Sequence, residues 1–482
     1  MYNVLIMSTF AKDNLGTPII DPAQLHDFLA AGAKPRDQWG VGVELEKLVV
    51  DAATGEAADY ARIALLLERL GSAGGWEKIY EDGRIIALKG PSSSVTLEPG
   101  GQLELSGRLC TDLFCSHGDF VGHVRQATAI ADELGLTFLG LGTQPFSPRE
   151  AIAWVPKARY AIMGPYMLRT GDMGQRMMKQ TAGVQVNLDY GSEADGLAKL
   201  RLAQALTPLL YALFANAPLL DGAPSGFLSA RGEIWARTDP DRTGLLPFLF
   251  NSAAGFADYV AYALDVPMYF IRRDGRFLDM TAERFSFRRY LAEGFAGHHA
   301  TMADWDLHLS TLFPEVRLRP QIEVRSMDSL PPALSMAPAA LLKGLFHDED
   351  AGRDAWQLCR PESANELQEM LQASWRQGLH TPWRGGTLRD LARECLTLAR
   401  AGLRRQRLCD ACDEGIFLNG AEEIVASGVT LAERLLADWH GDRPAKLDVL
   451  KRHCGFQATI KSLCPERCAD NPRTDCGRYF YS

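Results

Sequence analysis

The residues able to do chemistry come in four short runs. In Val43-Glu44-Leu45-Glu46-Lys47-Leu48, two glutamates alternate with mostly apolar residues. In Gln102-Leu103-Glu104-Leu105, Gln102 and Glu104 alternate with leucines. Val184-Gln185-Val186-Asn187-Leu188-Asp189 repeats the arrangement, and so does Ile322-Glu323-Val324-Arg325. Strand side chains point alternately to opposite faces, so each run gathers its polar groups on one face. Any one such strand is explained by the solvated side of a half-buried sheet. The four together are not, because solvated faces carry Lys, Thr, Ser and mixed charge, whereas these carry Glu, Gln, Asn, Asp and Arg. Clustered carboxylates repel unless cations sit among them. Mg²⁺ takes hard oxygen ligands and bridges carboxylates to nucleotide phosphates. Arginine forks on the same surface grip a carboxylate or a phosphoryl group. Periodicity thus points to a metal–nucleotide site on a sheet. Lys89-Gly90-Pro91-Ser92 lacks the glycine spacing of a phosphate-binding loop, Gly140-Leu141-Gly142 is a lone glycine pair, and no nucleophile elbow is present.

The rest of the chain must position these runs. Helices are expected over residues 21–36 (with Asp21 as N-cap), 60–72, 118–135 and 195–215. Strands are expected at 41–51, 84–89, 95–106, 136–141, 183–190, 226–235 and 321–327, with Pro99-Gly100-Gly101 making a turn or bulge inside the third. After about residue 335 the chain turns mainly helical through Ala437. Strands and helices interleave without a regular βαβ rhythm, which predicts an α+β fold with a largely antiparallel sheet. With 482 residues and 46% hydrophobic content the chain can bury a large core. The net charge of −9 argues against nucleic acid or an anionic membrane as partner. No apolar run is long enough to span a bilayer. Met1 to Phe10 lacks a basic segment before its apolar stretch, so the cytosol is the expected compartment. There the ten cysteines default to thiols. Nothing in the sequence fixes an oligomeric state.

The same runs resemble the plant-type glutamate–cysteine ligases shared by plants and many proteobacteria. The likeness begins at Gly42-Val43-Glu44-Leu45-Glu46-Lys47 and continues through Ile86-Ala87-Leu88-Lys89. It is most specific at Leu97-Glu98-Pro99-Gly100-Gly101-Gln102-Leu103-Glu104-Leu105-Ser106-Gly107. It extends through Val184 to Asp189, Phe214-Ala215-Asn216-Ala217-Pro218, Gly226 to Arg231, Thr238 to Gly244, Phe313-Pro314-Glu315-Val316-Arg317, Ile322 to Arg325 and Gly415 to Asn419.

The resemblance implies a six-stranded antiparallel sheet curled into a funnel, related to the glutamine synthetase catalytic domain. It implies the substrates L-glutamate, L-cysteine and ATP, joined as γ-glutamylcysteine in the first step of glutathione synthesis. It places Mg²⁺ on Glu44, Glu46, Glu104 and Glu323, and on Gln185, where the other bacterial branch carries a histidine. Arg325 and Arg231 become the catalytic arginines, and Lys47 and Lys89 face the nucleotide. The implied organisation is an N-terminal segment 1–37, a catalytic core 38–345, a helical part 346–445 and a Cys-rich tail 446–482. The rival readings are a related ligase with another amine acceptor or one serving ergothioneine synthesis, and a non-catalytic binding protein on the same scaffold.

Other residues read more plainly. His298, His299 and His308 suit a polar loop better than a metal site, and Arg404-Arg405-Gln406-Arg407 a solvated helix end. Met173, Met177 and Met178 suit packing. Cys409 and Cys412, with Cys464 and Cys468, have zinc-compatible spacing, and His453, Cys454 and Cys476 are near. Inert thiols, a structural Zn²⁺ and a redox or disulfide role all remain open for them.

Overall fold

The computed structural model describes residues 16–407 and 413–456. Its centre is a nine-stranded sheet. Strand β1 (Val41–Asp51) leads into helix α1 (Tyr60–Ala73). The meander β2 (Glu77–Glu81), β3 (Arg84–Lys89), β4 (Ser94–Leu97) and β5 (Leu103–Ser106) follows. Next come α2 (Leu113–Glu133), β6 (Leu136–Leu139), α3 (Ala158–Thr170), α4 (Gly174–Gln180) and β7 (Gly183–Leu188). After α5 (Glu193–Leu213) and α6 (Ala230–Ala236), the chain returns to the sheet as β8 (Val316–Leu318) and β9 (Ile322–Asp328). The strand order is β8-β9-β7-β1-β5-β4-β3-β2, and β6 pairs with the second half of β1. Every pairing in this sheet is antiparallel. The α+β expectation therefore holds, with nine strands where six were expected.

Alternation explains how one sheet serves a site and a core at once. Val43, Leu45, Leu103, Leu105, Val184, Val186, Ile322 and Val324 are buried on one face. Helix α2 covers part of that face with Phe120, Val121 and Val124. Helices α5 and α7 (Ala337–Phe346) pack on the sheet as well, through β9 and β7, and α8 (Leu388–Gln406) packs on α7. The N-terminus of α5 is set by Ser192, whose hydroxyl accepts the Asp195 N–H, with Glu193 and Asp195 in the first turn.

Local chemistry shapes the β4–β5 hairpin. Gly101 sits at φ 87°, a left-handed conformation that costs glycine little. The turn closes with the Glu98 N–H donating to the Gln102 carbonyl and the Gly101 N–H donating to the Glu98 carbonyl, each at 2.9 Å. A Cβ on Gly100 would lie 2.2 Å from the Lys179 carbonyl oxygen, so glycine there lets the turn press against the end of α4.

Three expectations are corrected. Residues 230–236 are helix α6, not a strand, because the apolar Ala230 and Ile234 recur at helical spacing and are buried. His308 is buried in a helix, Met302–Leu309, where its Nε2 lies 2.8 Å from the Ala263 carbonyl oxygen, so it is not in a polar loop. Cys110 and Cys115 form a disulfide across the turn that starts α2, their Cα atoms 6.1 Å apart, so these two are not thiols. Cys359, Cys395 and Cys454 are free and buried.

Cys409, Cys412, Cys464, Cys468 and Cys476, and the segment from Met1 to Phe10, lie outside the described residues. Of their neighbours, His453 is bonded to Asp438 at 2.8 Å. Cys454 is buried in an apolar cluster with Leu139 and Leu450, which pushes its thiol up to about 12. It ends helix α9 (Arg443–Cys454), which packs on β6. Among the described residues, Cys110, Cys115 and Asp119 are close enough to share a metal, but the two sulfurs are bonded to each other.

The C-terminal helices are tied to the sheet by a buried ion pair. Lys343 on α7 donates to both carboxylate oxygens of Glu414, at 2.8 and 2.7 Å. Lys343 also donates to the Thr111 carbonyl, and Glu414 accepts the Leu113 N–H. Removing one partner leaves the other charged and buried, which costs about 3–5 kcal/mol. Lys343→Met should lower the unfolding free energy by about 3 kcal/mol in urea titration, and Lys343→Met with Glu414→Leu should recover part of it. A shift under about 0.5 kcal/mol for the single variant would remove the pair from this role.

Candidate active site

The register sets the polar face in two rows. Antiparallel Cα partners point the same way. Lys89, Ser94, Ser106, Glu44 and Gln185 are successive partners across β3, β4, β5, β1 and β7. One step along, Ala87, Thr96, Glu104 and Glu46 form the next row. Glu46 and Glu104 thus stand directly opposite each other. On the far side Glu323 pairs with Asn187 and with Arg317.

This face floors a cavity. Glu44, Glu46, Glu98, Gln102, Glu104 and Gln185 line it from the sheet, and Arg317 and Arg325 from its β8–β9 side. Lys157, Arg159, Tyr160 and Met163 come from the start of α3, and Met177 and Met178 from α4. Trp235 and Phe313 complete an apolar wall, with the Arg325 guanidinium 5.5 and 5.7 Å from their rings.

A hydrogen-bonded chain runs through the floor. Arg325 Nη1 donates to Gln185 Oε1 at 2.6 Å, and Gln185 Nε2 donates to Glu46 Oε1 at 2.9 Å. The Gly183 N–H donates to the other oxygen of Glu46 at 2.6 Å. Asn187 donates to Glu44 Oε1, whereas Glu44 Oε2 is buried with no hydrogen-bond partner. Ser106 donates to Glu104 at 2.6 Å.

Charge is distributed unevenly over these carboxyls. Burial, with Glu323 and Glu104 adding to it, holds Glu44 well above the ordinary carboxylate range. Burial and the facing Glu104 push Glu46 up to about 8. Burial and Glu98 push Glu104 up to about 7. Glu323 goes the other way: burial raises it, but the guanidiniums of Arg317 and Arg325 outweigh burial and hold it down at about 2. Arg317 donates to Glu323 Oε2 through Nε at 2.9 Å and Nη2 at 2.6 Å, and Arg325 Nη1 bonds to Glu323 Oε1.

The donor set fits a hard divalent cation. Glu44, Glu46 and Glu104 offer oxygens only, one of them an orphaned buried atom, and all three repel one another in its absence. Glu323, expected in the same set, has both of its oxygens bonded to arginines in this structure and anchors the guanidiniums. Gln185 reaches both Glu46 and Arg325, so it couples the carboxylates to the arginine wall. Arg231 is buried behind that wall and does not line the cavity. Its Nη2 holds the Arg325 carbonyl at 2.9 Å, and its Nε and Nη1 have no partner.

The two expected nucleotide lysines separate. Lys89 lies on the carboxylate face, three strands from Glu44, with its ammonium 3.9 Å from Glu77. Lys47 lies on the opposite face, 1% exposed, its Nζ 3.4 Å from the Leu103 carbonyl oxygen and 5.9 Å from the Phe138 ring. One step from Glu46 along a strand puts it beneath the sheet, away from any ligand in the cavity.

Sequence reasoning passed over Glu98, Lys157 and Arg159, and gave Arg317 no role. Glu98 was within reach of it, because it continues the alternation of Thr96 past the end of β4. Lys157 and Arg159 carried no such signal, as they stand at a helix start brought over the sheet by the fold.

Comparison with known proteins agrees first on the fold. A solved glutamate–cysteine ligase from Francisella tularensis in complex with AMP superposes with a TM-score of 0.52, covering 92% of this chain and 91% of that one. At 13% identity this is a likeness of fold. Sequence then supplies the family. Residues 40–448 match Glutamate-cysteine ligase family 2, and the chain belongs to it. The chloroplastic glutamate–cysteine ligase of Brassica juncea is 42% identical over 424 residues, covering 87% of this chain and 81% of that enzyme. The Medicago truncatula enzyme is 40% identical over 437 residues, 90% and 85% of the two chains. These relatives are chloroplastic, which overturns the cytosolic compartment expected from the N-terminal segment. Among the described residues no helix is long and apolar enough to cross a membrane.

The raised carboxyls make a test of cation binding. Glu46 and Glu104 titrate in the folded protein near 8 and 7, above the 4.5 of an unfolded chain, so the metal-free fold binds the extra protons. Their contribution is fully present below about pH 4.5 and is lost as pH rises through 7 to 8. Mg²⁺ favours the ionised form, so it should raise the thermal midpoint of chelator-treated protein at about pH 8.5 and hardly at about pH 5. Equal effects at both values would show that these carboxylates do not hold the ion.

Proposed function

We propose that the cavity joins the γ-carboxylate of glutamate to the amino group of L-cysteine at the expense of ATP, by way of γ-glutamyl phosphate. What supports the reading is the set of three carboxyls with no ion-pair partner among the described residues, Glu44, Glu46 and Glu104, facing the arginine wall, in a chain of this family. The same reading makes the antiparallel sheet the glutamine synthetase-like funnel of the family resemblance, with the carboxylates on its inner wall.

A free γ-carboxylate is a poor acyl donor because its oxide is too basic to leave. One of its oxygens attacks the γ-phosphorus of ATP, and ADP departs. The cysteine amine then attacks the acyl carbon of the mixed anhydride, phosphate leaves, and the amine loses its proton. Glu44, Glu46 and Glu104 would hold Mg²⁺, which when bound neutralises nucleotide phosphate charge. Arg325 is fixed at Gln185 and Glu323, and its charge stabilises the transferring phosphoryl group without rearranging. Arg231 acts through Arg325, whose backbone it holds, and is a positioning residue. Trp235, Phe313, Met163 and Met178 shield the acyl phosphate from water. Lys89 remains on the nucleotide side of the same face.

Glu46→Gln should abolish most glutamate-dependent ADP release while leaving the circular dichroism spectrum unchanged. Full activity would sink the metal assignment. Arg325→Lys keeps the charge but cannot bridge Gln185 and Glu323, and kcat should fall about 100-fold or more. Near-normal kcat in that variant would move the phosphoryl contact elsewhere.

A further inference from the structure

Most buried cations of this protein have an anion of their own. Arg317 and Arg325 share Glu323, Lys343 has Glu414, Arg319 has Asp306 and Arg242 has Asp239. Lys157 does not. It is 6% exposed and lines the cavity, yet its ammonium has no hydrogen bond or ion pair among the described residues. Its Nζ lies 5.7 Å from the centroid of the Tyr160 ring. Two residues on, Arg159 lines the same cavity with a buried Nε that also lacks a partner.

The fold places this unpaired charge deliberately. Val155 N–H bonds to the Pro99 carbonyl at 2.9 Å, so the segment before α3 is stitched to the Glu98–Gln102 turn. The Ala158 N–H is occupied by Glu81 Oε1 at 2.5 Å, which pins the start of the 13-residue helix α3 to the edge of the sheet. Lys157 is thereby held over the β2–β4 side of the floor, with Arg325 across the sheet on the β8–β9 side. A buried ammonium facing a cavity is unfavourable until a counter-ion arrives, and the positive end of a helix adds to its pull on an anion.

We infer that Lys157 contacts a bound substrate, its ammonium donating to an oxyanion at the end of the cradle away from Arg325. That oxyanion is a carboxylate of one of the amino acids or a phosphate of the nucleotide. The inference rests on the ligase reading and adds a substrate contact to it. Burial pushes the Lys157 ammonium down to about 8 against the pull of Glu98, so an arriving anion also secures its charge.

The test is steady-state kinetics of Lys157→Met, following ADP release while glutamate, cysteine and ATP are varied in turn. A charge-assisted hydrogen bond to substrate predicts a rise of about 10- to 100-fold in KM for one of the three, the other two staying unchanged and the thermal midpoint of the free protein not falling. A rise for glutamate or cysteine identifies the carboxylate, and a rise for ATP the phosphate. Lys157→Arg should restore most of the loss. Should the methionine variant not fold, Lys157→Gln carries the same measurement. Three unchanged KM values would overturn the inference. So would recovery of normal KM in Lys157→Met with Glu98→Gln, since Lys157 would then only offset Glu98. If the unmodified enzyme releases no ADP with glutamate and cysteine, the ligase reading itself fails.

Discussion

The structure turns on keeping Glu46 and Glu104 face to face without a protein cation between them. Like charges directly opposite on paired strands are unfavourable, and burial makes them more so. The protein answers on three sides. It surrounds the carboxyls with Gln185, Asn187 and Ser106 as neutral donors. It keeps the arginines one strand or more away, locked onto Glu323. It lets the carboxyls hold protons near neutral pH. Cationic donors right beside Glu44 and Glu46 would have quenched the negative field of the three carboxyls.

Glu323 shows how sharply environment divides like residues. It lies on the same face as Glu44, three strands from Glu104, and is equally buried. Two guanidiniums hold it ionised while Glu46 and Glu104 are driven toward the neutral form. The consequence is a partition of labour along one sheet face, with oxygen donors in the middle and a rigid arginine wall at the β8–β9 side. Arg231, hidden behind that wall, steadies Arg325 through a backbone carbonyl instead of reaching the cavity.

The distant parts of the chain serve this arrangement through packing. The Lys343–Glu414 pair fastens the helical region to the turn that starts α2, and α2 braces the underside of the sheet. The close approach of Gly100 to α4 brings Met177 and Met178 to the cavity. The methionines are therefore both packing residues, as their type suggests, and part of the cavity wall.

Strand alternation was legible in the sequence because its period is fixed by backbone geometry. It put Glu44, Glu46, Glu104, Gln185 and Arg325 on one face, and it should have put Lys47 on the other. The antiparallel sheet and the turn at Pro99-Gly100-Gly101 were legible for the same local reason. The helix at 230–236 was not, since a short apolar run reads equally well as strand. What only the tertiary structure decided is what stands across from what: Glu46 against Glu104, two arginines on Glu323, Lys157 over the floor. Those relations join residues through sheet register and helix docking, and neither is encoded in the spacing of any one segment.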